Sequence, residues 1–220
     1  MPVQIKICGI KRTVDALAAL RAGVDAIGLN FSRESPRYVG DCLAARQIVD
    51  ETKDREKVQW AGVFVNSALS EVLEIQAALG LNIVQLHGDE RPEFVSALAK
   101  RLGPGVMIWK AFRVSVAADL NSIYDFNTCC DAWLIDAKAP GLRGGSGKVF
   151  DWKILANLKR ERPVVLAGGL NAGNVAAAVH RVSPEWVDTA SGVESAPGVK
   201  DAAMIESFVR AARSAKETES

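Results

Sequence analysis

No run of apolar residues in this chain approaches the ~18 that a membrane-spanning helix requires, so a bilayer-embedded fold is not expected. The apolar stretch near the N-terminus is short and is interrupted by Lys6, Lys11 and Arg12, which does not fit a secretory signal. Charge of one sign is lacking too: 27 Lys and Arg against 26 Asp and Glu leave a formal charge of +1. That balance offers no bulk attraction to nucleic acid or to a membrane surface. An anionic ligand would have to be met locally, by placed arginines and backbone N–H groups. Cysteine is scarce, and Cys8, Cys42, Cys129 and Cys130 show no C-x-x-C spacing. Neither a zinc site nor a redox motif is indicated, and no metal is expected. The cytoplasm is the expected compartment, where thiols stay reduced. No low-complexity tract or composition shift marks a boundary, so residues 1–220 read as one domain.

What the chain does contain is alternation. Strand-like apolar runs fall at Ile5–Cys8, Ala26–Asn30, Gln59–Phe64, Ile83–Leu86, Met107–Ala111, Ala132–Ile135, Val164–Ala167 and Trp186–Thr189. Between them, Thr13–Ala22, Ser67–Leu79, Pro92–Arg101, Asp151–Arg160 and Asn171–Val182 carry apolar residues at i, i+3, i+4 spacing, and a last helix is expected near Asp201–Ala215. Eight strand–helix units in 220 residues leave roughly 27 residues per unit, compact but sufficient for a single (β/α)8 TIM barrel. An open doubly wound sheet is the competing architecture; the chain carries no dinucleotide fingerprint to support it.

In a barrel, the C-terminal ends of all strands share one mouth, and two polar residues close strands there. Cys8 ends the first strand just before Gly9, and Asp136 ends the sixth before a glycine-rich stretch. A thiol and a carboxyl facing one pocket suit proton transfer at a sugar carbon and oxygen. Alternation in the first strand points Lys6 and Cys8 inward and Ile5 and Ile7 toward the helices. A buried lysine needs a carboxylate partner, and Asp188, inward on the neighbouring eighth strand, is the expected one. Two small-residue turns, Ala167-Gly168-Gly169-Leu170 and Ala190-Ser191-Gly192-Val193, follow the seventh and eighth strands. Backbone N–H groups of Gly168, Gly169, Ser191 and Gly192 there are suited to a phosphate. The stretch from Gly141 to Lys148 invites a P-loop reading and fails it. Its leading glycine is out of register, and Val149 stands where a magnesium-binding Ser or Thr belongs. It reads better as a loop able to fold over a ligand, with Asp151 capping the next helix.

The stretch Lys6-Ile7-Cys8-Gly9-Ile10-Lys11 resembles the opening of the phosphoribosylanthranilate isomerases of tryptophan biosynthesis. Ser35-Pro36-Arg37-Tyr38, Gly62-Val63-Phe64-Val65-Asn66, Gln85-Leu86-His87-Gly88, Lys110-Ala111-Phe112, the run from Gly144 to Trp152, Leu166-Ala167-Gly168-Gly169-Leu170 and Ser191-Gly192-Val193-Glu194 are similar to that family, in its order. The resemblance implies a single barrel that carries out an Amadori rearrangement of N-(5′-phosphoribosyl)anthranilate, giving 1-(2-carboxyphenylamino)-1-deoxyribulose 5-phosphate. It implies Cys8 as general base, Asp136 as general acid and Arg37 as the clamp on the substrate's aromatic carboxylate. No cofactor is implied. Where the family often has a second small polar residue, this chain has Ala190, which matters little if the contact there is main-chain.

His87 ends the fourth strand facing the mouth, where it borders either the aromatic ring or the sugar, or makes a structural hydrogen bond. His180 reads as surface and Cys42 as helix filler, while Cys129 and Cys130 have no functional account. The expected partner is a small phosphoribosyl substrate, with no nucleic acid and no membrane, in a monomer or homodimer. The related histidine-pathway isomerase is the near alternative. It is disfavoured because that family places an aspartate at the end of strand one. A non-catalytic phospho-ligand binder is the alternative of another class, and it would have no need of an acid–base pair.

Overall fold

The computed structural model describes residues 2–52, 58–137 and 152–215. Eight parallel strands form a closed barrel in chain order: β1 Gln4–Cys8, β2 Ala26–Asn30, β3 Gln59–Phe64, β4 Ile83–Leu86, β5 Met107–Val114, β6 Ala132–Ala137, β7 Val164–Ala167 and β8 Trp186–Thr189. The ring closes by pairing β1 with β8, Lys6 opposite Asp188. Every predicted strand is present. β5 runs three residues further than its apolar run, because Arg113 and Val114 continue the ladder opposite Asp136 and Ala137.

Helices α1 Thr13–Arg21, α2 Cys42–Thr52, α3 Leu69–Leu79 and α4 Pro92–Ala99 follow the first four strands, and α5 Val175–Val182 and α6 Ala202–Ser214 follow the last two. After β5 and β6 the chain instead forms 3₁₀ segments, Ala117–Phe126 and Trp152–Asn157. The helix expected over Asp151–Arg160 is therefore a shorter 3₁₀ turn, and Asp151 lies outside the described residues. Helix α5 begins four residues later than its periodicity predicts. The side chains of Asn171 and Asn174 accept from the backbone N–H groups of Gly173 and Asn171, and so hold the preceding residues in a turn. Beyond β8 a short antiparallel hairpin, β9 Glu194–Ala196 and β10 Val199–Lys200, was not predicted.

The two faces of the strands make two cores. Ile5, Ile7, Ile27, Val84, Val164 and Val187 face outward into the helix-packed layer. Ala26, Ala61, Ile83, Trp109, Leu134, Val165 and Trp186 fill the barrel. Small residues beside large ones let the interior close: Trp109 and Trp186 meet edge to face, centroids 5.1 Å apart. The floor of the barrel carries a repeating tie. The residue just before each even strand accepts a hydrogen bond from a backbone N–H near the start of the preceding odd strand. Asp25 takes Ile5, Asn82 takes Trp60, Asp131 takes Ile108 and Glu185 takes Val164, at 2.7, 2.9, 2.7 and 2.7 Å. These bonds satisfy strand-end donors that the ladder leaves open. Cys129 and Cys130 are buried under the 3₁₀ segment, both thiols directed at the Phe126 carbonyl. They are packing residues, and burial pushes the Cys130 thiol up to about 12. His180 is exposed on α5, as expected.

Candidate active site

The mouth of the barrel is a cavity of about 490 Å³, and each of the eight strands sends one inward residue to its wall: Cys8, Asn30, Val63, Gln85, Arg113, Asp136, Ala167 and Asp188. Cys8 and Asp136, 128 positions apart in sequence, line it together because β1 and β6 both end there. Arg37, His87, Gly168, Gly169 and Ser191 line the same cavity. Of the residues predicted for the site, Gly192 is the one set behind the wall.

Cys8 is buried among charges. Lys6, fully buried, donates to Asp188 Oδ1 at 3.0 Å, the pairing expected from their inward positions. Room for both inward side chains of β1 comes from Gly28 on β2. A methyl there would sit 2.9 Å from the Cys8 sulfur and 3.1 Å from Lys6 Cε. Burial pushes the Cys8 thiol up, and Asp188 adds to this, while Lys6 and Lys200 pull it down. These surroundings favour the neutral thiol.

On the opposite wall, Gln85 Nε2 lies 3.0 Å from His87 Nδ1, and His87 Nε2 lies 3.4 Å from Asp136 Oδ2. With the amide donating to Nδ1, the imidazole proton is on Nε2 and faces the carboxyl. The contact is long and therefore weak.

Arg37 arrives from the loop after β2. Its stem crosses Gly9, whose φ is +76°; a methyl on Gly9 would fall 2.6 Å from Arg37 Cδ. Its Nε and Nη2 donate to the two oxygens of Glu194 at 2.8 and 2.7 Å. Glu194 also accepts from Lys200 Nζ at 2.8 Å, and Lys200 donates again to the Ala190 carbonyl at 2.9 Å. Although burial raises it, the Glu194 carboxyl is held below its usual range by Arg37 and Lys200.

The two glycine turns meet. Gly168 and Gly169 both have left-handed backbone, φ 92° and 67°. Thr189 Oγ1 donates to the Leu170 carbonyl at 2.7 Å, lacing the turn after β7 to the end of β8. A methyl at Gly192 would lie 1.9 Å from that carbonyl oxygen, so only glycine lets the turns touch. Among the described residues, the N–H groups of Gly168, Gly169, Ser191 and Gly192 take no part in the backbone bonds of turns and loops.

Asn30, Gln85, Arg113, Glu194 and Lys200 were not anticipated as site residues. The apolar run of β5 ends at Ala111 and so hides Arg113; the inward register two residues on is the signal that places it. Glu194 closes the motif Ser191-Gly192-Val193-Glu194, which marks the family but not this contact, and Lys200 carries no signal because its hairpin is short and polar. The stretch from Gly141 to Lys148 lies outside the described residues.

Residues 5–211 match the family described as N-(5′-phosphoribosyl)anthranilate (PRA) isomerase. A curated relative of that name from Myxococcus xanthus is 46% identical over 217 residues, which is 97% of this chain and 98% of the relative. The crystal structure of phosphoribosyl anthranilate isomerase from Thermotoga maritima superposes with a TM-score of 0.87 at 38% identity, covering 96% of this chain and 99% of that one. Another solved isomerase of this kind, in complex with reduced 1-(o-carboxyphenylamino)-1-deoxyribulose 5-phosphate, gives a TM-score of 0.83 at 35% identity, covering 96% and 99%. A barrel whose mouth gathers a thiol, a carboxyl and two laced glycine turns, matched along nearly its whole length, belongs to the N-(5′-phosphoribosyl)anthranilate isomerase family.

Proposed function

We propose that this chain isomerises N-(5′-phosphoribosyl)anthranilate, with Asp136 as general acid and Cys8 as general base. The observation that carries this reading is the single cavity lined by both groups and by both glycine turns. Protonated Asp136 gives its proton to the furanose ring oxygen, and the ring opens to an iminium at C1′. Cys8, as thiolate, takes the proton from C2′. The enolamine so formed tautomerises to the amino ketone. One acid and one base complete the proton ledger.

The buried Cys8 thiol, raised by its burial and by Asp188, bears on timing. A cationic iminium beside it favours the thiolate at the step that needs it. Cys8 and Asp136 then share one proton between them, and the rate titrates as a property of the pair. The phosphate is received by the N–H groups of Gly168, Gly169, Ser191 and Gly192. The aromatic carboxylate meets Arg37 through the Nη1–Nη2 edge that Glu194 leaves over, and His87 borders the sugar or the ring. The substrate is a small molecule. Among the described residues no helix is long and apolar enough to cross a membrane. We place the enzyme in the cytoplasm, without nucleic acid, as a monomer or homodimer.

The test is the fluorescence decay of N-(5′-phosphoribosyl)anthranilate, generated in situ, with the wild-type chain, Cys8→Ser and Asp136→Asn. Rapid wild-type decay with at least ~10²-fold loss in both variants supports the roles. Folded wild type without decay rejects the reading and promotes the histidine-pathway substrate. Retained activity in one variant strikes that residue from the mechanism.

A further inference from the structure

We propose that Glu194, which does not line the cavity, is a positioning residue for the substrate carboxylate: it holds Arg37 in aim and ties that arginine to the phosphate turn. The inference rests on the isomerase reading above and extends it to a residue outside the cavity wall.

The Glu194 side chain is only 4% exposed, yet two cations share its carboxylate. Arg37 meets it through both Nε and Nη2, a bidentate pair that fixes the plane of the guanidinium as well as its place. The far end of the same side chain is fixed separately, where its stem lies against Gly9. A guanidinium has two edges able to grip a carboxylate. With Nε–Nη2 on Glu194, the Nη1–Nη2 edge remains, and Arg37 itself lines the cavity. An arginine held this way is pre-ordered, so less side-chain freedom is lost when substrate binds.

The second cation connects this clamp to the other end of the substrate. Lys200, its side chain fully buried, bonds to Glu194 and to the carbonyl of Ala190, the residue before Ser191. Glu194 itself follows Val193, where the turn ends. One carboxylate therefore joins the arginine arm after β2, the turn after β8 and the β9–β10 hairpin. The distance between carboxylate clamp and phosphate cradle is set through it.

The charge count gives a readout that a merely structural link would not move. Around Cys8 stand Lys6 on β1, Asp188 on β8 and Lys200 on β10, while Glu34, Arg37, His87, Arg113 and Asp136 line the same cavity. Glu194 holds the Lys200 ammonium charged against its burial, and that ammonium pulls the Cys8 thiol down. Without the carboxylate, Lys200 gives up its proton at lower pH and the Cys8 thiolate becomes harder to form.

The test compares wild type, Glu194→Gln, Glu194→Asp, Arg37→Ala and the double variant Arg37→Ala/Glu194→Gln in the full chain. Two quantities are measured: steady-state kinetics with N-(5′-phosphoribosyl)anthranilate, and the pH profile of Cys8 alkylation by iodoacetamide, read by mass spectrometry of the Cys8 peptide. Glu194→Gln is expected to raise KM at least ~10-fold, the loss falling on KM rather than kcat, as for a charge-assisted contact misplaced. Its alkylation profile moves to higher pH. Glu194→Asp keeps the charge but shortens the reach, so KM rises while the alkylation profile stays with wild type. The double variant binds no worse than Arg37→Ala alone, because Glu194 acts through Arg37. An unchanged KM in a folded Glu194 variant, or additive losses in the double variant, overturns the inference. Should Glu194→Gln not fold, Glu194→Asp against wild type decides the KM question. An inactive wild type would instead reject the isomerase reading, and the alkylation profile, which needs no turnover, would still decide whether Glu194 sets the charge at Cys8.

Discussion

Replacing Lys6 by Met removes one ammonium group from the barrel interior and keeps most of its stem. The Nζ lies 3.0 Å from Asp188 Oδ1, with side-chain exposures of 0% and 8%. At that separation the pair attraction is roughly 5–6 kcal/mol for an effective dielectric near 20, and desolvation of both ions offsets much of it. The cost of Lys6→Met is therefore the stranded Asp188 carboxylate rather than the lost bond. Breaking one side of a buried pair costs about 3–5 kcal/mol. Because Asp188 borders the cavity, water reaches its carboxyl, and the lower end, about 3 kcal/mol, is expected. In a chain of this size that lowers Tm by roughly 6–12 °C. Thermal unfolding followed by circular dichroism, on Lys6→Met, Asp188→Leu and the double variant, checks this. The double variant removes both charges and is expected within about 1–2 kcal/mol of wild type, well above Lys6→Met. A Lys6→Met chain as stable as wild type, or a double variant no better than the single, would refute the account of why a lysine sits inside this barrel.

Gly192→Ala pushes the two glycine turns apart, since the added methyl would lie 1.9 Å from the Leu170 carbonyl oxygen. Inorganic phosphate, tested as a competitive inhibitor, should bind at least ~10-fold more weakly; an unchanged inhibition constant would remove the phosphate cradle from this place. Cys130, whose thiol is raised to about 12 in the fold against an ordinary value of 9.0, binds a proton more tightly folded than unfolded. Its contribution is intact below pH 9 and is lost as pH climbs from 9 toward 12, by up to about 4 kcal/mol. Urea unfolding across that window should show Cys130→Ala losing less stability than wild type per pH unit; parallel slopes would reject it.

The strands were legible because burial writes itself into sequence as period-two and apolar runs, and all eight fell where those runs stand. Their inward and outward faces were legible for the same reason, which is how Lys6 led to Asp188. Legibility failed where polar side chains replace backbone regularity. Asn171 and Asn174 delayed a helix whose apolar period was otherwise sound. The segment after β5 has apolar residues at Leu120, Ile123 and Phe126, a spacing of three that a 3₁₀ helix buries on one face. At the site, Cys8, Asp136 and the glycine turns were marked by their place at strand ends. Glu194 was not, because its meaning comes from Arg37 and Lys200, which the barrel brings to it from separate elements.

The ties on the barrel floor join β1 to the residue before β2, and likewise β3 to β4, β5 to β6 and β7 to β8. Each tie spans one odd strand with the helical segment after it and anchors at the foot of the next even strand, so the barrel is bracketed into four two-strand modules. The cavity divides along the same brackets: Cys8 belongs to the first, His87 to the second, Asp136 to the third and the glycine turns to the fourth and its exit. No single bracket holds both groups of the proposed acid–base pair. Chemistry is thus a property of the assembled ring, whereas the brackets lie at the opposite end, away from the cavity. Substitutions among Asp25, Asn82, Asp131 and Glu185 should shorten the lifetime of the ring, seen as faster amide exchange, while each molecule still assembled turns over at the full rate.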